Sequence, residues 1–125
     1  MDNRVRVLTV DDQDYFRGVM GEVIAATEGF TLIGAVASGE EALEAAESRA
    51  PSLVVIDKRM AGMDGIEACR RLTERHPRLA VILVSIEDPD PAVAASCGAA
   101  GYLRKEDLSP RALRELWRRH ASSSS

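Results

Sequence analysis

Polar residues with chemical potential stand where apolar runs stop. Asp11-Asp12 follows V-R-V-L-T-V, Asp57 follows L-V-V-I, Ser85 follows V-I-L-V, and Lys105 comes just after G-Y-L. Carboxylates held close together repel, and each pKa rises unless a cation is near. The economical cation is Mg²⁺, which takes hard oxygen ligands and keeps several waters. Three acids with a hydroxyl and an ammonium describe a site for a phosphoryl group. One carboxylate attacks phosphorus, the hydroxyl donates a hydrogen bond, and metal and ammonium offset charge on the equatorial oxygens. Asp11 and Asp12 by themselves read equally well as turn residues or a helix cap. Asp57 is harder to read that way, because it ends an apolar strand where no cap is needed. Among 16 basic residues the only lysines are Lys58 and Lys105. A chain that favours arginine but keeps Lys105 there points to a compact ammonium rather than a planar fork.

These residues need elements to hold them. Arg4 to Val10 is a β-branched run, and the pairs Tyr15/Phe16, Val19/Met20 and Val23/Ile24 form the stripe of an amphipathic helix. Phe30 to Val36 is a second strand, and Ser38 with Glu41 opens a helix that Pro51 closes. Leu53 to Ile56 is a buried-strand run, and Asp64 with Glu67 caps a helix whose inner face is Ile66, Cys69 and Leu72. Leu79 to Val84 is a fourth strand. Asp90-Pro91 begins a short alanine-rich helix closed by Gly98, and Gly101 to Leu103 is a fifth strand. Ser109-Pro110 opens the last helix, with Leu113, Leu116 and Trp117 inward and a Leu108–Leu113 staple. Strands alternating with helices predict an α/β fold: a doubly wound five-stranded parallel sheet, order 2-1-3-4-5, with five flanking helices. Ligands of such sheets bind beyond the carboxyl ends of the strands, where the polar residues stand.

The 125 residues suit one domain, expected over 4–120, with 121–125 a flexible tail or linker stub. A formal charge of −4 excludes broad phosphate neutralisation, so no direct nucleic-acid binding is expected. No apolar run is long enough for a bilayer and no signal-peptide pattern opens the chain, so a cytoplasmic location without membrane contact is expected. Cys69 and Cys97 are too few and too far apart for a disulfide framework or zinc site, and read as small buried residues. His76 reads as a helix-end residue, His120 as solvated, and Met60 and Met63 as packing residues.

The motifs V-L-T-V-D-D, V-V-I-D-K-R-M-A-G-M-D-G, I-L-V-S and G-Y-L-R-K resemble the receiver domains of two-component response regulators, over nearly the whole chain. The resemblance implies the flavodoxin-like receiver fold, with Asp57 as phosphoacceptor. It implies Mg²⁺ on Asp12, Asp57 and the backbone carbonyl of Arg59, with Asp11 joining directly or through water. Ser85 and Lys105 would each contact a phosphoryl oxygen, and Tyr102 matches the switch aromatic that moves inward when the hydroxyl residue engages phosphate. The donor would be a histidine kinase or phosphotransfer protein, or a small-molecule phosphodonor. The output would be a change of partner surface, and the only catalysis that of the domain's own phosphorylation and dephosphorylation. The face of the fourth helix, fifth strand and fifth helix is the expected switching surface and homodimer contact. The acidic residue after Lys105 hints at receivers joined to DNA-binding output domains, hence transcriptional signalling.

Some positions depart from the family pattern. Ala61 stands where proline is usual, Ile86 where a small residue is usual, and Glu106 where proline is frequent. Arg59 and Glu87, two residues after Asp57 and Ser85, are expected to face each other across the crevice. With Ile86 they would tune the lifetime of a phosphorylated form. Two other readings compete: a single-domain or phosphorylation-independent interaction module, and an aspartyl phosphatase. Haloacid-dehalogenase-like phosphatases usually carry a second aspartate where this chain has Arg59.

Overall fold

The computed structural model describes residues 3–123. Along the chain run β1 (Val5–Val10), α1 (Asp14–Ala25), β2 (Phe30–Val36), α2 (Gly39–Arg49), β3 (Leu53–Asp57), α3 (Gly65–Arg75), β4 (Ala80–Ser85), α4 (Pro91–Cys97), β5 (Gly101–Arg104) and α5 (Pro110–Ser123). A 3-10 turn over Lys105–Asp107 joins β5 to α5. The paired strands are parallel, in the order β2-β1-β3-β4-β5, so the sheet is the doubly wound flavodoxin-like one expected.

Alternation along the strands feeds two cores. Leu8, Val10, Val54, Ile56, Val81 and Leu83 meet Ala42 and Ala46 of α2 and Cys69 and Leu72 of α3. On the other face Val5, Val7, Val55, Ile82 and Val84 meet Met20 and Ile24 of α1 and Leu113 of α5. Both sheet faces are covered, which is why β3 and β4 read as unbroken apolar runs. Ser38, Asp64 and Asp90 accept hydrogen bonds from the backbone N–H groups of Glu41, Glu67 and Ala92, satisfying orphan donors at three helix starts. Leu113 is the fully buried anchor of α5. Leu113→Ala is expected to cost about 2–5 kcal/mol, read as a lower urea midpoint at unchanged slope.

The structure corrects several details. Tyr15 was placed on the inner stripe of α1 but is 84% exposed. The line that packs inward is Phe16, Met20 and Ile24, and Tyr15 lies off it in the first turn. α5 continues through Ser123, so the expected tail does not begin at 121; serine does not break a helix, and the Ser123 hydroxyl donates to the His120 carbonyl at 3.1 Å. Ser124 and Ser125 lie outside the described residues, as do Met1 and Asp2. His120 is half-buried rather than solvated, with Nε2 3.1 Å from the Arg78 carbonyl. Cys69 and Cys97 are buried free thiols that the fold brings together: Cys69 Sγ donates to the Cys97 carbonyl at 3.4 Å. Trp117, undecided from sequence, packs against the α1–α5 core. At the sheet edge, Arg49 Nη1 donates to the Ile33 carbonyl of β2 at 2.7 Å. Among the described residues no helix is long and apolar enough to cross a membrane.

Candidate functional site

The strand ends assemble one acidic crevice. Val10 pairs with Ile56 and Asp57 with Val84, so the residues just beyond β1 and at the end of β3 are neighbours. Asp11, Asp12 and Asp57 each present a carboxylate oxygen within 4.8 Å of the others. Lys105 reaches in from the turn after β5, its Nζ lying 3.2 Å from both Asp11 Oδ2 and Asp57 Oδ2. Only the Asp57 contact has hydrogen-bond geometry, which leaves Asp11 Oδ2 buried with a charge neighbour but no hydrogen-bond partner. Burial, and then the charge of Asp11, push the Asp57 carboxyl above the usual range, while Lys105 and the Arg59 N–H pull it back. An under-satisfied oxygen among three crowded acids suits a small hard cation, and the donor set fits Mg²⁺.

The loops that hold these acids are tied to one another. Gln13 N–H donates to Asp11 Oδ1 at 2.8 Å, and Arg17 Nη1 donates to the Asp11 carbonyl at 2.7 Å while Nη2 pairs with Asp14. Ala61 N–H donates to Asp12 Oδ2 at 3.0 Å, joining the β3–α3 loop to the end of β1. Lys105 Nζ lies 4.4 Å from the centroid of the Phe16 ring, so the ammonium has carboxylates on one side and an aromatic face on the other. Gly65 lets α3 start against the end of β3: a Cβ there would stand 2.1 Å from the Asp57 carbonyl oxygen.

Ser85 is buried at the end of β4, and its Oγ accepts from the Glu87 N–H at 3.1 Å, which leaves its own O–H available as a donor. Glu87 and Arg59 do meet across the crevice, with Nε 2.8 Å from Oε1. Each holds the other charged: Arg59 lowers the Glu87 pKa, and Glu87 raises that of Arg59. Ile86 is 75% exposed beside them. Lys58 Nζ also lies 3.5 Å from Glu87 Oε1, and 5.7 Å from the Tyr102 ring centroid. The Tyr102 hydroxyl is the largest influence raising the Lys58 pKa, although the two groups do not meet hydrogen-bond geometry. The Tyr102 ring packs on the core, and its hydroxyl is buried.

Arg17, Lys58 and Gly65 stand beside the site with no role there expected from the sequence, and Phe16, expected only in the core stripe of α1, also faces Lys105. The spacing from Asp11 to Arg17, just over one helical turn into α1, was the available signal for an arginine returning to the loop. A groove at the opposite end of the sheet, lined by Glu47, Arg75, His76, Arg78 and Trp117, offers no comparable cluster. Its charges already pair, Glu47 Oε1 lying 3.5 Å from His76 Nε2 and 3.8 Å from Arg75 Nη1.

An acid-and-lysine crevice at the carboxyl ends of a doubly wound sheet defines the class of domain. Residues 7–118 match the response regulator receiver domain, and the chain belongs to that family. Among curated relatives, response regulator GacA of Pseudomonas viridiflava is 40% identical over 103 residues, 81% of this chain and 48% of that protein. The transcriptional regulatory protein DegU of Brevibacillus brevis is 32% identical over 107 residues, 84% of this chain and 45% of that one. The chain thus spans about half the length of these relatives. The signal receiver domain of the response regulator NarL from Mycobacterium tuberculosis superposes with a TM-score of 0.77 at 30% identity, covering 87% of this chain and 89% of that one. The family is one of signalling switches rather than metabolic enzymes.

Proposed function

We propose that this domain accepts a phosphoryl group on Asp57 and that the modification alters the surface formed by α4, β5 and α5. The supporting observation is the placement of Asp57: buried, crowded by Asp11, and hydrogen-bonded to Lys105 Nζ at 3.2 Å. An Asp57 carboxylate oxygen attacks phosphorus of a phosphohistidine on a histidine kinase or phosphotransfer protein, or of a small acyl phosphate. The new O–P bond forms as the donor's bond to phosphorus breaks, and its electron pair leaves with the donor. Lys105 offsets charge on one phosphoryl oxygen, and the Ser85 O–H donates to another. Asp11, Asp12 and Asp57 with the Arg59 backbone carbonyl would hold Mg²⁺. When bound, it supplies positive charge against the carboxylates and phosphoryl oxygens. We read the setting as cytoplasmic transcriptional signalling, since a relative about twice this chain's length, matched over 45% of it, is named a transcriptional regulatory protein. A homodimer through the α4–β5–α5 face is part of the same reading. The test is intact mass after incubation with acetyl phosphate and Mg²⁺. One acid-labile phosphoryl adduct, formed with Mg²⁺ and absent when EDTA is included from the start, supports the proposal; no adduct with Mg²⁺ overturns it.

Lifetime of that adduct is set by the rim. Hydrolysis needs a water in line with the leaving carboxylate. Arg59, held over the crevice by Glu87 at 2.8 Å, stands with Ile86 where it would hinder that water. The Arg59→Ala protein is therefore expected to lose phosphate faster than wild type, and Glu87→Ala to change the rate by releasing the guanidinium. Half-lives after removal of the donor give the answer. Slower loss in Arg59→Ala would mean that the guanidinium assists hydrolysis.

A further inference from the structure

Lys58 follows the proposed phosphoacceptor, yet its side chain turns away from the crevice. It is only 18% exposed, its Nζ 3.5 Å from Glu87 Oε1 and 5.7 Å from the Tyr102 ring centroid. The Tyr102 hydroxyl it adjoins is buried with no hydrogen-bond partner. A phenol placed so loses water without a replacement, and its ring should swing outward unless something offsets that loss. The Lys58 ammonium lies over that ring and attracts its π face, without a hydrogen bond to the hydroxyl. Glu87 fixes the ammonium at its other end, and the Glu87 N–H is the group that bonds Ser85 Oγ. One side chain therefore ties the start of the β3–α3 loop, the segment after β4 and the aromatic of β5.

We propose that Lys58 is a positioning residue, anchored by Glu87, that holds Tyr102 inward before any phosphate is bound. This rests on the reading that Ser85 and Tyr102 are the pair phosphate moves, and it adds how their resting balance is set. The equilibrium is biased toward the inward ring, so phosphate completes a shift already prepared. Arg59 shares the same Glu87 oxygen at 2.8 Å and competes with Lys58 for its anchor.

The chain has two tyrosines, Tyr15 exposed and Tyr102 half-buried with its hydroxyl covered, which makes ring accessibility directly readable. With ring-labelled tyrosine and a soluble paramagnetic probe, Tyr15 serves as the exposed reference within the same molecule. In Lys58→Met, which keeps the aliphatic stem, the outward population of Tyr102 should rise roughly tenfold, the scale of losing one partly desolvated ammonium–aromatic contact. Lys58→Arg should restore the wild-type signal, and Glu87→Gln should release Tyr102 in part. An unchanged thermal midpoint, with Tyr15 unaltered, separates release from unfolding. If Tyr102 stays as protected in Lys58→Met and Glu87→Gln as in wild type, the latch is wrong. Beryllofluoride with Mg²⁺, added to Lys58→Met, isolates the other reading. A ring that returns inward supports both, whereas a released ring that ignores beryllofluoride keeps the latch and removes phosphate control.

Discussion

The Asp57→Asn protein is expected to take up no acid-labile phosphoryl group from acetyl phosphate and Mg²⁺. An amide oxygen is a far poorer nucleophile than a carboxylate, and no other described carboxylate combines burial with the Lys105 hydrogen bond. Loss of uptake alone would not separate chemistry from unfolding, but stability moves the other way. Burial and the Asp11 charge raise the Asp57 pKa above its unfolded value. A raised carboxyl pKa means that the folded state loses stability as pH rises through that window and does not regain it above. A neutral amide removes this penalty, so in EDTA at neutral pH the variant should melt at the wild-type temperature or higher. Intact mass and thermal melting are the two measurements. Undiminished Mg²⁺-dependent uptake by Asp57→Asn would sink the site assignment.

Gly65→Ala is expected to damage both stability and the site. Helix propensity alone favours alanine over glycine by about 1 kcal/mol. The added Cβ, however, would stand 2.1 Å from the Asp57 carbonyl oxygen and 2.9 Å from Asp57 C and Lys58 Cα. These are backbone atoms, and no rotamer change relieves the overlap. Either α3 retreats or the end of β3 does, and the second movement carries Asp57 with it. We expect a stability loss of about 3 kcal/mol or more, at the upper end for overpacking, by urea titration. The phosphorylation rate should fall on the order of a hundredfold if the end of β3 moves by an ångström. Wild-type midpoint and rate would show that α3 can yield without disturbing Asp57.

Sheet order and the main site residues were legible because both follow from where apolar runs end. Asp11, Asp12, Asp57, Ser85 and Lys105 all stand just past such runs, and the doubly wound rule puts those ends together. Arg59 and Glu87 were legible as a pair for the same reason, each two residues beyond a neighbouring strand end. Loop geometry was not legible. Lys58 stands beside Asp57 in sequence, and only the path of the chain after β3 decides that it reaches Tyr102 and not the crevice. Phe16 was placed in the core stripe, and its second task against Lys105 needs the turn over Lys105–Asp107, which no pattern announced. The serine run was read for flexibility, whereas the last turns of α5 needed only tolerable helix formers.

A five-stranded open sheet has two edges, and each is a template on which another chain can build a strand. Along β2 the Arg49 guanidinium occupies the Ile33 carbonyl, in space kept open by Gly34, where a Cβ would come within 2.9 Å of Nη1. Along β5 Arg104 pairs with Asp88 at 2.9 Å and with Glu106 at 2.7 Å. A stray strand would have to displace the Arg49 guanidinium to reach the Ile33 carbonyl, and along β5 it would meet paired charged side chains. Fibril-like stacking is thereby discouraged at both margins, and association between copies is left to the helices, whose side chains can be selective about what they meet.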